Sequence, residues 1–189
     1  GEKGEPQKYR GISAGVSLSI DWNISNCMPF VDSLTRSLSD VPMYHNKEYG
    51  FSVKLFEGWE YEKLPEGIVL KKTVSPELPK NFDDLKDAEK IPYEPFPVEI
   101  AFLAQDSPYQ ELSELIIEKY PGYSVEFATL GDVYGVKVGE QQEKLSINHF
   151  YFMSEDHKTL YEANIKIWNI HYNEFAATFE GIVATVKLF

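Results

Sequence analysis

Four histidines, His45, His149, His157 and His171, and one cysteine, Cys27, are the side chains best suited to act as base, nucleophile or metal ligand. Their spacing limits what they can do. A zinc hydrolase sets two histidines one helical turn apart with a carboxylate close by, and none of the four stands in that relation. Cys27 has no sequence-adjacent histidine to take its proton, so it reads as a buried or incidental thiol, and a single cysteine forms no intrachain disulfide. His149 and Glu162 are the one candidate pair for acid/base work, since an imidazole beside a carboxylate is held ready for proton transfer. The alternative is ordinary polarity on an exposed sheet face. Asp83, Asp84 and Asp87 cluster as calcium ligands do, yet they lack the alternating ligands, central glycine and terminal Glu of an EF-hand loop. No Gly-rich phosphate loop, nucleophile elbow or dinucleotide fingerprint is present. The expectation is a chain that is not an enzyme and uses no metal and no cofactor. Asn23-Ile24-Ser25 matches a glycosylation sequon, which matters only in a eukaryotic secretory host.

Composition narrows the partners. Acidic residues outnumber basic ones 30 to 18, giving a net charge of −12, which opposes a polyanion and argues against nucleic acid. Hydrophobic residues at 43% and aromatics at 14% of the 189 positions are those of a folded chain long enough to bury a core. No apolar run approaches the roughly 20 residues of a transmembrane helix. Residues 1–11 are polar and read as a flexible leader or tether, so the expected protein is exported, periplasmic or extracellular, with an N-terminal lipid as its anchor. Residues 12–189 read as a single α+β domain.

The elements that would position these side chains follow from periodicity. Ile12, Ala14, Val16, Leu18, Ile20 and Trp22 alternate with polar residues, which predicts a strand over 12–22 that extends the main sheet or pairs with a second copy in a homodimer. Phe30, Val31, Leu34 and Leu38 predict a helix over 29–39. Residues 51–56, 59–64 and 68–74 read as three strands of an antiparallel meander divided by turn chemistry at Glu57-Gly58 and Pro65-Glu66-Gly67. Residues 75–97 hold Pro76, Pro79, Pro92, Pro95 and Pro97 among clustered carboxylates. They read as a surface insertion, more mobile than the sheet it interrupts, with one helical turn near 83–90. A strand over 98–104 precedes a helix over 108–120, with Ser107 as cap, Pro108 in the first turn and Pro121-Gly122 as stop.

Gly131-Asp132 is a two-residue hairpin turn that sets Phe127 opposite Val136, Val125 opposite Val138 and, on the other face, Glu126 opposite Lys137. A second hairpin turning at Asp156-His157 sets Phe152 across from Tyr161 and Phe150 across from Ala163. His149, Tyr151, Glu162, Asn164, Lys166 and Trp168 then share the opposite face. A helix over 172–186 follows, and Lys187-Leu188-Phe189 end the chain as a short docking extension. The fold class is therefore α+β, a mostly antiparallel sheet flanked by helices. The aromatics Trp59, Tyr61, Tyr151 and Trp168 are either anchors of a binding surface or core rings under covering helices.

The run Tyr44-His45-Asn46-Lys47-Glu48-Tyr49-Gly50-Phe51-Ser52-Val53, followed by Gly58-Trp59, resembles the opening of PsbP-like domains, with Phe56-Glu57 where that family carries Pro. The resemblance implies an α-β-α sandwich around a central antiparallel sheet. That fold is also used by a Ran-binding nuclear factor, by bacterial periplasmic lipoproteins and by chaperones of secreted effectors. It gives Gly50, Phe51, Val53 and Trp59 structural roles and carries over no ligand residue. The expected function is a non-enzymatic binding or accessory domain with a protein partner, its contacts placed on the 75–97 insertion or the Trp59 and Tyr61 edge. The alternatives are a chaperone for a secreted or membrane partner, and a metal-dependent or acid/base enzyme using His149 and Glu162.

Overall fold

The computed structural model describes residues 42–189. The strand expected at 12–22 with its homodimer, the helix expected at 29–39, Cys27 and the sequon lie outside the described residues. In chain order the strands are β1 (Met43–Asn46), β2 (Phe51–Lys54), β3 (Glu60–Leu64), β4 (Gly67–Val74), β5 (Phe96–Asp106), β6 (Val125–Leu130), β7 (Val133–Gln142), β8 (Leu145–Met153), β9 (Thr159–Trp168) and β10 (Lys187–Leu188). The helices are α1 (Asp87–Lys90), α2 (Leu112–Lys119) and α3 (Tyr172–Val183).

Seven strands form one antiparallel sheet in the order β3-β4-β5-β9-β8-β7-β6, and β1, β2 and β10 form a small second sheet. Both hairpin registers read from alternation are the ones observed: Phe127 faces Val136 and Glu126 faces Lys137, while Phe152 faces Tyr161 and Phe150 faces Ala163. The turn of the first hairpin depends on Gly131, whose φ is +61° and whose missing Cβ would collide with the Ala184 carbonyl oxygen.

Alternation gives the sheet two buried faces. On one, Phe150, Ala163, Ile165 and Ile167 pack with Phe51 and Val53 of β2 and with Phe179, Ile182 and Val183 of α3. On the other, Val136, Val138, Tyr151 and Leu160 pack beneath Leu115 of α2 and beside Tyr109 and Tyr120. Each fully buried Phe, Ile or Leu here contributes roughly 1.5–3 kcal/mol of transfer free energy. The result is the α+β class expected, a mostly antiparallel sheet with helices on both faces.

Three sequence expectations are corrected. Residues 51–56 do not begin the meander: Phe51–Lys54 pairs with Met43–Asn46 and with Lys187–Leu188 in the small sheet. All of Phe51, Ser52 and Val53 are buried, so this strand has no wet face to align with β3. Tyr44 donates to the Gly67 carbonyl at 3.1 Å and Tyr161 to the Tyr49 carbonyl at 2.6 Å, which ties this small sheet to the large one. Gly50, φ +66°, lets the Phe189 carbonyl approach within 2.6 Å of where a Cβ would stand.

Next, α2 starts at Leu112 instead of 108: Ser107 closes a local turn with Tyr109, accepting from its N–H at 3.1 Å and donating to its carbonyl at 2.8 Å, the oxygen that a continuing helix would offer to a later N–H. Last, the insertion closes before Phe96: Phe96 is fully buried and Pro97 pairs with Thr73 inside β5. Within the insertion, the helical turn expected near 83–90 appears as the short helices Phe82–Asp84 and Asp87–Lys90, neither of which contains a buried residue.

Candidate functional site

β8 places His149 and Tyr151 on the face that α2 covers, two residues apart and therefore side by side. In β9 the residue opposite Tyr151 is Glu162 and the one opposite His149 is Asn164, so Glu162 lies diagonal to His149. In β7 Val138 stands opposite His149, and Glu140, two residues further, lies diagonal on the other side. The imidazole is thereby bracketed: Nδ1 is 2.5 Å from Glu162 Oε2 and Nε2 is 2.7 Å from Glu140 Oε2. Asn164 donates to the same Glu162 oxygen at 2.8 Å.

The sequence reading put His149 and Glu162 on an open face. α2 and the segment after it correct that, leaving only 10% of the His149 side chain exposed. Tyr120, just past α2, lowers its ring over the network, and its hydroxyl shares a 2.6 Å hydrogen bond with that of Tyr151. Tyr151 stacks against His149 with ring centroids 5.5 Å apart and planes 10° off parallel. Both phenols are buried, so Tyr151 is a core ring instead of a surface anchor.

Burial shifts the ionisations. It pushes the Tyr120 phenol up to about 12, with the Glu140 and Glu162 charges adding to it and the Tyr151 hydrogen bond opposing it. Burial, then the Glu162 charge, pushes Tyr151 up as well. Burial alone would raise Glu162, but its hydrogen bond and charge interaction with His149, helped by Asn164 and Lys119, hold its carboxyl below the ordinary range.

A neutral imidazole has one N–H to give. With both ring nitrogens facing carboxylate oxygens, the two contacts are complete hydrogen bonds when the ring or one carboxyl carries an additional proton. Neither nitrogen is left for a substrate. The two carboxylates sit at opposite ends of the ring, and among the described residues no group of three or more His, Cys, Asp or Glu side chains is arranged to hold a metal ion. Glu162 and Tyr151 also line a recess of about 350 Å³ with Lys119, Glu66 and Tyr49, while His149 borders a separate one of about 270 Å³ with Lys137 and Glu180.

The remaining candidates lie apart. Trp59 packs partly against the main core under Lys72, whose Nζ is 5.5 Å from the ring centroid. Tyr61 is 52% exposed on β3. Two strands separate β3 from β9, so roughly 14 Å of sheet divides Tyr61 from the His149 network. Trp168 does not follow the outward face read for it: it packs beside Phe96, 6.1 Å between centroids, with Lys144 over the ring.

Two features escaped the sequence reading. Glu140 is the second carboxylate on His149, a contact that only the pairing of β7 with β8 brings about. The other is a concavity of about 630 Å³ between the start of α2 and the β6–β7 hairpin. Leu112, Val133 and Met153 line it, together with Phe127 and Tyr134. Those two rings stack at 6.0 Å and stay 47% and 62% exposed. Their sequence signal was present: Phe127 and Val136 share a face, and Tyr134 is two residues from Val136.

No family model matches the chain, and no curated protein matches it. Solved structures similar to it include the cyanobacterial PsbP of Synechocystis, 7% identical over 79% of this chain and 92% of that one at a TM-score of 0.49. The Ran-binding protein Mog1p of Saccharomyces cerevisiae is 9% identical over 79% of this chain and 95% of its own, at 0.41. LpqN, involved in cell envelope biogenesis of Mycobacterium tuberculosis, is 13% identical over 84% and 96%, at 0.42. A PsbP, the family whose opening residues 44–61 resemble, is thus among the structures this chain resembles.

Proposed function

We propose that the chain is a non-enzymatic binding or accessory domain whose partner is a protein, met outside the cytoplasm. The observation that carries this reading is the stacked, exposed Phe127–Tyr134 pair beside the apolar concavity of about 630 Å³. Large aromatic surface kept in water costs free energy that a partner recovers on docking, and such rings are the usual anchors of protein interfaces. The His149 network supports the non-enzymatic half of the proposal, because both imidazole nitrogens are committed to carboxylates.

The test is a photo-crosslinking amino acid at Tyr134, expressed in the native host. A discrete crosslinked protein, absent when the same group replaces Lys80 in the insertion, is the expected result. No crosslink from Tyr134 in any growth condition overturns the reading. Fractionation of the same cells tests the location, and a wholly cytoplasmic protein refutes that part.

The acid/base alternative has one observation in its favour, the recess where Glu162 and Tyr151 meet Lys119. It requires turnover of an ester, phosphoester or glycoside that His149→Gln abolishes. The chaperone alternative requires apolar surface extending well beyond Phe127 and Tyr134, which strong binding of a hydrophobic dye would reveal.

A further inference from the structure

The geometry points to an extended segment of a partner protein, apolar at its centre and flanked by Lys or Arg, as the occupant of the concavity between α2 and the β6–β7 hairpin. This rests on the binding-domain reading and names the surface and the chemistry that it recognises. The volume of about 630 Å³ falls within the roughly 300–1,000 Å³ of cavities that take organic groups. Leu112, Val133 and Met153 make its lining apolar, and Met153 adds a thioether that adapts to different side chains. Phe127 and Tyr134 offer two exposed aromatic rings at its side.

The charged groups at this surface set the sign of the partner. Asp132 is neutralised by an ion pair with Lys187. His157 spends Nδ1 on the Gln110 carbonyl at 2.6 Å. Glu111 and Glu155 remain, both exposed and without an ion pair among the described residues. Two uncompensated carboxylates around an apolar floor, on a chain of net charge −12, complement a cation on either side of an apolar residue. Arg or Lys can also lie over the open Tyr134 ring. An anionic membrane is repelled by the same charges.

The experiment measures fluorescence polarisation of short synthetic peptides with a central Phe or Leu between pairs of Lys or Arg. Comparison peptides have Glu flanks or a central Ser, and a separate arm uses phosphatidylcholine vesicles. The Lys/Arg-flanked apolar peptides bind. Replacing both Phe127→Ser and Tyr134→Ser weakens them by about tenfold or more. The pair Glu111→Gln and Glu155→Gln lowers affinity and removes most of its salt dependence. Glu62→Gln on the distant edge strand changes nothing.

Thermal unfolding of each variant shows that it is folded, and the surface carboxylate pair serves if the aromatic pair is not. Equal binding of Glu-flanked peptides, binding indifferent to both double substitutions, uptake by vesicles but not peptides, or no peptide binding at all overturns the proposal. A Tyr134 crosslink in cells without binding of the basic peptides sinks this assignment and leaves the binding-domain reading standing. Loss of the crosslink sinks that reading itself.

Discussion

Glu162→Gln removes one charge from the network while keeping its size and an oxygen that accepts hydrogen bonds. In the wild-type chain the carboxylate takes hydrogen bonds from His149 at 2.5 Å and Asn164 at 2.8 Å. A hydrogen bond to a charged group contributes about 1.5–3 kcal/mol and a neutral one about 0.5–1.5, so two bonds losing charge assistance cost about 2–3 kcal/mol. The side chain is 23% exposed, and water returns part of that loss. The expected destabilisation at pH 7 is about 2 kcal/mol, or about 4–8 °C in Tm for a chain of this size.

The pH dependence follows from the direction of the Glu162 shift. Its folded-state carboxyl lies below the ordinary value of 4.5, so its stabilisation is complete above that value and is lost as pH falls through the folded one. The gap between wild type and Glu162→Gln should therefore be constant from pH 7 down to about pH 5 and shrink as pH falls below 4.5 toward pH 3. Urea unfolding followed by circular dichroism at four or five pH values across that window reads it directly. A gap of the same size at pH 3 and pH 7 would show that the cost is packing and not charge. No gap at pH 7 would refute the hydrogen-bonded arrangement.

His171 is 3% exposed and stacks flat on Phe96 at 3.8 Å, with neither ring nitrogen hydrogen-bonded and only the exposed Glu174 carboxylate, 3.4 Å from Nδ1, as a polar neighbour. His171→Phe keeps the stacking and deletes Nε2, which has no partner, along with the loose Nδ1 contact to Glu174, which should stabilise the chain by about 1 kcal/mol, seen as a higher Tm. Replacing residues 77–94 by a short Gly-Ser turn should cost less than about 1 kcal/mol, because Val74 and Phe96 are already paired neighbours and residues 75–95 hold no buried side chain. In alkaline titration followed at the phenolate absorbance, Tyr120 should stay un-ionised at pH 11. Its stabilising contribution is intact below about 10 and is lost as pH climbs toward 12.

What could be read from sequence was local. The Gly131-Asp132 turn has two residues and a Gly where φ is positive, so it fixed which residues of β6 and β7 share a face. The same parity placed His149, Tyr151 and Glu162 together. What could not be read was contact between elements distant in sequence. Phe51–Lys54 looks like any buried strand, and nothing in it says that its partner is Lys187–Leu188. Glu140 joins His149 because of register carried across β7 and β8. The cover given by α2 was invisible for a further reason. The helix itself was legible from its cap and stop residues, yet which sheet face it would close was not, and this decides whether His149 is a wet base or a sealed strut.

That cover also relates the two candidate sites to each other. Past its end, α2 leads into Tyr120, which is hydrogen-bonded to Tyr151 above the His149 network. Its first turn supplies Leu112 and Ser113 to the wall of the apolar concavity. The chain just before it is anchored separately, by Glu114 accepting from Gln110 N at 3.0 Å and by His157 on the Gln110 carbonyl. In this buried network only Asn164 Oδ1 has no hydrogen-bond partner, and rearranging the elements around it would leave a charge or a hydroxyl unpaired as well. The His149 network thereby braces one end of a short helix, eight residues long. The other end of that helix shapes the apolar concavity beside which the exposed rings of Phe127 and Tyr134 stand.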